Sequence, residues 1–174
     1  MPTWNQCRRA FAWVDHLSPS VVVAMATIGP VGHWGRAPGT NGTFVGLVYF
    51  SAVYLRVPLP AAILLFLFSV YLAVAFCDAA ELRLGRRDPG CVILDEVVAM
   101  PLCFPGVLAA AAARGWPLWT MAVAAFCIFR FFDILKPLGI SRLQNLPGGL
   151  GVVVDDLAAA VATCAVLNLV IRFV

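Results

Sequence analysis

The chain has 174 residues, of which 62% are hydrophobic and only 12% charged, with a mean hydropathy of +0.93. A soluble domain of this size cannot bury that much apolar surface in one core, which excludes a soluble enzyme and predicts an all-α, polytopic integral membrane helical bundle, one membrane-embedded domain over residues 1–174. The net charge of +3 does not signal nucleic acid, because Lys136 is the single lysine and the arginines stand alone or in pairs, as topology signals do.

The first residues are polar and no short apolar core leads to a small-residue cleavage site, so no cleavable signal is expected. The uncharged run 16–35 contains Ser18, Pro19, Ser20, Gly29, Pro30, Gly32 and Gly35, which argues against a straight helix and for an interfacial or re-entrant segment. About five spanning helices are expected after it, on the uncharged runs 37–55, 57–77, 97–113, 115–129 and 157–171. The last three fall short of the roughly 20 residues that cross the hydrocarbon, so each helix must continue into its charged ends. Threading these helices through a bilayer sorts the charges. Asp78, Glu81, Asp88, Asp95, Glu96, Asp133, Asp155 and Asp156, eight of the nine acids, fall on one side, and the ninth, Asp15, precedes the first apolar segment. Arg36, Arg83, Arg86, Arg87, Arg130, Lys136 and Arg142 share that side, against Arg56, Arg114 and Arg172 on the other. The positive-inside rule makes the acid-rich side the cytoplasm, together with an N-terminus carrying Arg8 and Arg9.

Acids gathered at four helix ends on one face are what a shared site requires. Asp78 with Glu81, and Arg130 with Asp133 and Lys136, are three residues apart and so lie along one helix face. Asp95–Glu96 and Asp155–Asp156 fall on first turns, where the helix dipole favours negative charge. Adjacent helical residues point about 100° apart, so one member of each pair is expected to face the bundle and the other the loop. Carboxylates without histidine or cysteine make an oxygen-only set suited to Mg2+ or Mn2+, and His16 and His33 are remote from them in sequence. Arg130 and Lys136 suit a phosphate, as do "PGTNGT" and "PGGLG", read as loops leading into helices whose N–H groups attract anions. Together these features describe a phosphorylated lipid head group bound at the cytoplasmic surface.

The six cysteines, Cys7, Cys77, Cys91, Cys103, Cys127 and Cys164, show no metal spacing and are read as packing. Cys77 and Arg83 match the Cys-x5-Arg spacing of cysteine phosphatases, but the acids between them would repel phosphate and the stretch lacks a glycine-rich cradle. The alternative from another class is a small cation- or proton-coupled membrane transporter using the clustered carboxylates. Against it, the acids lie at one end of the bundle and no inverted repeat is visible.

Four motifs, "PGTNGT" (38–43), "DPGCVILDEVVAM" (88–100), "FRFFDILKP" (129–137) and "GGLGVVVDDLAA" (148–159), resemble in order those of the phosphatidylglycerophosphatase A family, over essentially the whole chain. The resemblance implies a Mg2+-dependent phosphomonoesterase. It would hydrolyse phosphatidylglycerophosphate to phosphatidylglycerol and phosphate in a bacterial cytoplasmic membrane, with its site facing the cytoplasm. On this reading Asp95, Glu96, Asp133 and Asp156 are catalytic, and Asp95, Glu96, Asp133, Asp155 and Asp156 are metal ligands. Arg130, Lys136, Thr40, Asn41 and Gly149 contact substrate. The chain departs from the family pattern at Ala99, Gly139, Ala160 and in "GHWGRA", which bears on helix packing and head-group fit rather than on the chemistry.

Overall fold

The computed structural model describes residues 11–137 and 139–173, so Cys7, Arg8 and Arg9 lie outside the described residues. Among the described residues seven α-helices carry the fold: α1 (Pro19–Ala26), α2 (Pro38–Val53), α3 (Leu59–Leu84), α4 (Leu94–Ala99), α5 (Val107–Ala113), α6 (Leu118–Leu135) and α7 (Gly149–Phe173). Short 3-10 turns link them, and no strand occurs among the described residues.

Local chemistry sets the helix boundaries. Ser18 caps α1 by accepting from the Val21 N–H, and Pro19 occupies the first turn, where its missing N–H costs nothing. At the far end of α3, Gly85 takes a left-handed conformation (φ 63°) and its N–H donates to the Glu81 carbonyl, a glycine C-cap. Lys136 ends α6 in the same left-handed region (φ 43°), with its N–H donating to Phe132 O at 2.8 Å.

Among the described residues three helices, α3, α6 and α7, are long and apolar enough to cross a membrane, and α4 with α5 makes a fourth if that pair is one span bent by 44°. Five straight spans are therefore not what the structure displays. α2 has 16 residues, a rise of about 24 Å, which is less than the hydrocarbon thickness of about 30 Å. The helix expected over 97–113 starts at Leu94 and is broken. Pro101 falls in the 3-10 turn Met100–Cys103, and Gly106 takes φ 77° before α5 begins. Asn168 of α7 braces the break by donating to the Pro105 carbonyl at 3.0 Å. Within the run 16–35, α1 has eight residues, too few to cross, as a non-spanning segment requires.

Two apolar clusters share α7. One joins Phe50 of α2, Met100 and Phe104 at the break, Phe129 of α6 and Ala159, Ala160 and Leu167 of α7. The other joins Val14 and α1 to Ala73–Ala80 of α3 and Val152 and Val153 of α7. α7 is thus the central post of the bundle. α3 and α6 turn Leu64, Leu67, Phe68, Trp119, Val123 and Ile134 outward, an apolar exterior that suits lipid contact.

Candidate active site

The C-terminal ends of α3 and α6 meet the N-terminal ends of α2, α4 and α7 at one end of the bundle, and this places the acids. Asp95 and Glu96 stand in the first turn of α4 at 5% and 8% exposure, and Asp155 and Asp156 lie in the second turn of α7 at 2% and 3%. The expectation that each pair would split between bundle and loop is corrected: all four are buried. α4 is enclosed by α2, α3 and α7, so two directions 100° apart both point into protein.

One oxygen each from Asp95, Glu96 and Asp156 come within 4.8 Å of one another, the single such group of possible metal ligands among the described residues. Asp95 Oδ1, Glu96 Oε2 and Asp156 Oδ2 are buried without a hydrogen-bond partner. Three buried carboxylates with unsatisfied oxygens are costly unless a cation compensates them, so this oxygen-only set fits a hard divalent ion. His16 and His33 are exposed and stand apart from the triad.

Beside the triad runs a chain of alternating charge. Arg130 Nη1 lies 3.8 Å from Glu96 Oε1 and 2.5 Å from Asp133 Oδ2. Lys136 Nζ lies 3.9 Å from Asp133 Oδ1 and bonds to Asp155 Oδ2. Burial works against the Lys136 ammonium, but its hydrogen bond to Asp155 and the charges of Asp155, Asp156 and Asp133 outweigh that and raise its pKa above the usual lysine value. Of the five expected metal ligands, the structure therefore gathers Asp95, Glu96 and Asp156, and pairs Asp133 and Asp155 with cations.

Of the two glycine motifs, "PGTNGT" is helix rather than loop, a second correction, whereas in "PGGLG" Pro147 and Gly148 do lead into the helix and only Gly149–Gly151 belong to it. Gly39 and Gly42 belong to the first turns of α2, and Gly149 and Gly151 to α7. A Cβ at Gly39 would stand 2.5 Å from Glu96 Oε1 and 2.8 Å from Arg130 Nη1; one at Gly46 would stand 2.5 Å from Met100 Cγ. These residues are glycine because α2 lies directly on α4 and the site. The spacing of Gly39, Gly42 and Gly46 along one helix face was the available signal. Among the expected substrate contacts, Asn41 instead donates its amide to the carbonyls of Val31 (3.3 Å) and Trp34 (2.7 Å), and the Gly149 N–H donates to Asp78. Both are occupied by the protein itself. Thr40 is half-buried beside Gly39, its N–H turned back to the Ala37 carbonyl. Cys77 is fully buried in the core, and Arg83 reaches the carbonyls of Val14 and Leu17, so the two form no phosphate loop.

A family model described as phosphatidylglycerophosphatase A matches residues 24–171, a stretch that includes every residue of this charged site. The chain belongs to the phosphatidylglycerophosphatase A family. Proteins named phosphatidylglycerophosphatase A from Haemophilus influenzae and Escherichia coli are 35% and 29% identical to it. The first alignment covers 72% of this chain and 73% of that relative, the second 75% and 72%. A Bacteroides thetaiotaomicron protein provisionally named a phosphatidylinositol-3-phosphatase is 35% identical over 72% of this chain and 77% of its own. No solved structure matches the chain. These relatives thus carry names for the dephosphorylation of different lipids.

Proposed function

We propose that this protein is a Mg2+-dependent lipid phosphatase that converts phosphatidylglycerophosphate to phosphatidylglycerol and phosphate, and that Asp95, Glu96 and Asp156 hold the cation. The observation that carries this reading is the buried triad with its unpartnered oxygens, set against Arg130 in a chain of this family. Bound there, the cation supplies Lewis acidity towards the phosphoryl oxygens. Arg130 and Lys136 bind the phosphate and offset charge on its equatorial oxygens during in-line displacement. Asp133 and Asp155 hold those two cations in place before substrate arrives, and Asp133, between both, sets the guanidinium angle. Gly39 keeps the approach to Glu96 and Arg130 clear of side-chain atoms.

On this reading the chain is one catalytic domain in a bacterial cytoplasmic membrane with the site on the cytoplasmic side, supported by the clustering of acids and basic residues at one end. α2 with its following 3-10 turn, Tyr54–Arg56, serves as a fifth crossing beside α3, the bent α4–α5 pair, α6 and α7. The test is phosphate release by purified protein in detergent from phosphatidylglycerophosphate, phosphatidic acid and phosphatidylinositol 3-phosphate, with Mg2+ and with excess EDTA. Turnover of phosphatidylglycerophosphate ahead of the other two, abolished by EDTA and restored by Mg2+, is the expected result. Full activity in EDTA sinks the metal reading, and preference for another lipid reassigns the substrate.

A further inference from the structure

Besides Asp155, two buried acids stand outside the triad, one helical turn apart on α3: Asp78 at 6% exposure and Glu81 at 3%. Each is bonded to backbone on the approach to one half of the triad. Asp78 Oδ1 accepts a buried hydrogen bond from the Gly149 N–H at 3.1 Å, at the first residue of α7. Glu81 Oε1 accepts from the Asp88 N–H at 2.6 Å, in the loop that leads into α4, where Asp88 itself takes φ 44°. The fit at α7 is close. Gly148 is left-handed (φ 58°), a Cβ on it would overlap Asp78 Oδ1, and a Cβ on Gly149 would overlap the Val74 carbonyl. The N–H groups of a helix's first turn have no partner within the helix, so a carboxylate supplied from α3 both satisfies one and fixes where the helix begins.

We propose that Asp78 is a positioning residue that sets the rotation of α7, with Glu81 acting likewise on the loop that delivers α4. Rotation matters because Asp155 and Asp156 do different work: Asp155 holds Lys136, and Asp156 completes the triad. A slip of one residue turns the helix by about 100°, so that one acid takes the other's place and the other is carried away from its partners. This inference rests on the metal reading of the triad given above.

The carboxylate of Asp78 is needed here as a hydrogen-bond acceptor, and an asparagine supplies the same Oδ1. A metal ligand would need the charge. Purified full-length protein in detergent is examined by Mn2+ binding, followed by the electron paramagnetic resonance of the free ion, and by hydrogen exchange of residues 149–153. Asp78→Asn is expected to bind Mn2+ like wild type and to keep slow exchange. In Asp78→Ala, with helix content retained, Mn2+ affinity should fall by about tenfold or more, as loss of an outer-shell support does, and exchange at 149–153 should accelerate. Asp78→Asn losing Mn2+ as severely as Asp78→Ala would make Asp78 a ligand and overturn the proposal. So would wild-type binding and exchange in Asp78→Ala. Should Asp78→Ala not fold, Gly148→Ala presses on the same contact from the α7 side and is expected to accelerate exchange there; unchanged exchange and Mn2+ binding overturn the proposal equally. A wild-type protein that binds no Mn2+ would remove the metal reading of the site, while the exchange of 149–153 still decides the positioning role.

Discussion

At the scale of single residues, charge and shape can be separated. Asp95→Asn and Glu96→Gln keep the size of each side chain, and an amide is nearly as good as a carboxylate in a helix first turn, so the fold should persist. If the triad holds Mg2+, turnover falls by about 100-fold or more in each, a loss of roughly 2.7 kcal/mol of transition-state stabilisation, and more Mg2+ is needed for half-saturation. Asp88→Asn is the comparison. Its side chain is exposed and accepts a long 3.3 Å bond from Gln144, so turnover against Mg2+ should match wild type. Titration curves for all three variants decide the matter, and wild-type curves for Asp95→Asn and Glu96→Gln would end the metal assignment. Arg130→Lys tests geometry in the same way: the Arg130 Nη1 lies between Asp133 and Glu96, and a point charge in place of the planar guanidinium leaves no second nitrogen for a phosphate oxygen, so turnover should fall although the charge is kept.

At the scale of elements, the glycine face of α2 is the most sensitive surface. A Cβ at Gly42 would stand 2.9 Å from the branched Cβ of Ile93 and 3.2 Å from the Ile93 carbonyl, both fixed to the backbone, and 3.1 Å from Glu96 Oε2. Gly42→Ala should therefore lose about 1–3 kcal/mol by overpacking, read as a lower melting temperature in detergent, and should lose activity with it. Gly90→Ala meets nothing within 4 Å and should leave both unchanged. This face also shows where sequence reasoning stopped. The acids, Arg130 and Lys136 were legible because isolated charges in an apolar chain have few uses. Glycine and proline disfavour helix locally, so "PGTNGT" and the start of "PGGLG" look alike in sequence, whereas close approach of α2 to α4 and of α7 to α3 demands glycine within a helix. The division of labour between Asp155 and Asp156 was not legible either, since it depends on the phase of α7, which a contact from distant Asp78 fixes. Pro101, Pro105 and Gly106 were visible in the third run, yet the 44° bend needed Asn168 from another helix to become apparent.

At the scale of the molecule, topology is the open arithmetic. With the charged end in the cytoplasm, single cysteines placed near Arg56, Arg114 and Phe173 should react with an impermeant reagent added outside cells, and those near Arg86 or Arg142 should not. External labelling near Arg86 inverts the arrangement and puts the triad on the wrong side for a cytoplasmic pathway. The triad draws Asp95 and Glu96 from α4 but Asp156 from α7, the last helix of the described chain. Synthesis runs from the N-terminus, so α4 is delivered to the membrane well before its third acid exists. During that interval Asp95 and Glu96 first lack the Arg130 cation of α6, and two uncompensated carboxylates resist burial. Charge compensation at α4 therefore waits on α6 and the three-acid cluster on α7, so the charged end can be assembled only late in synthesis rather than helix by helix.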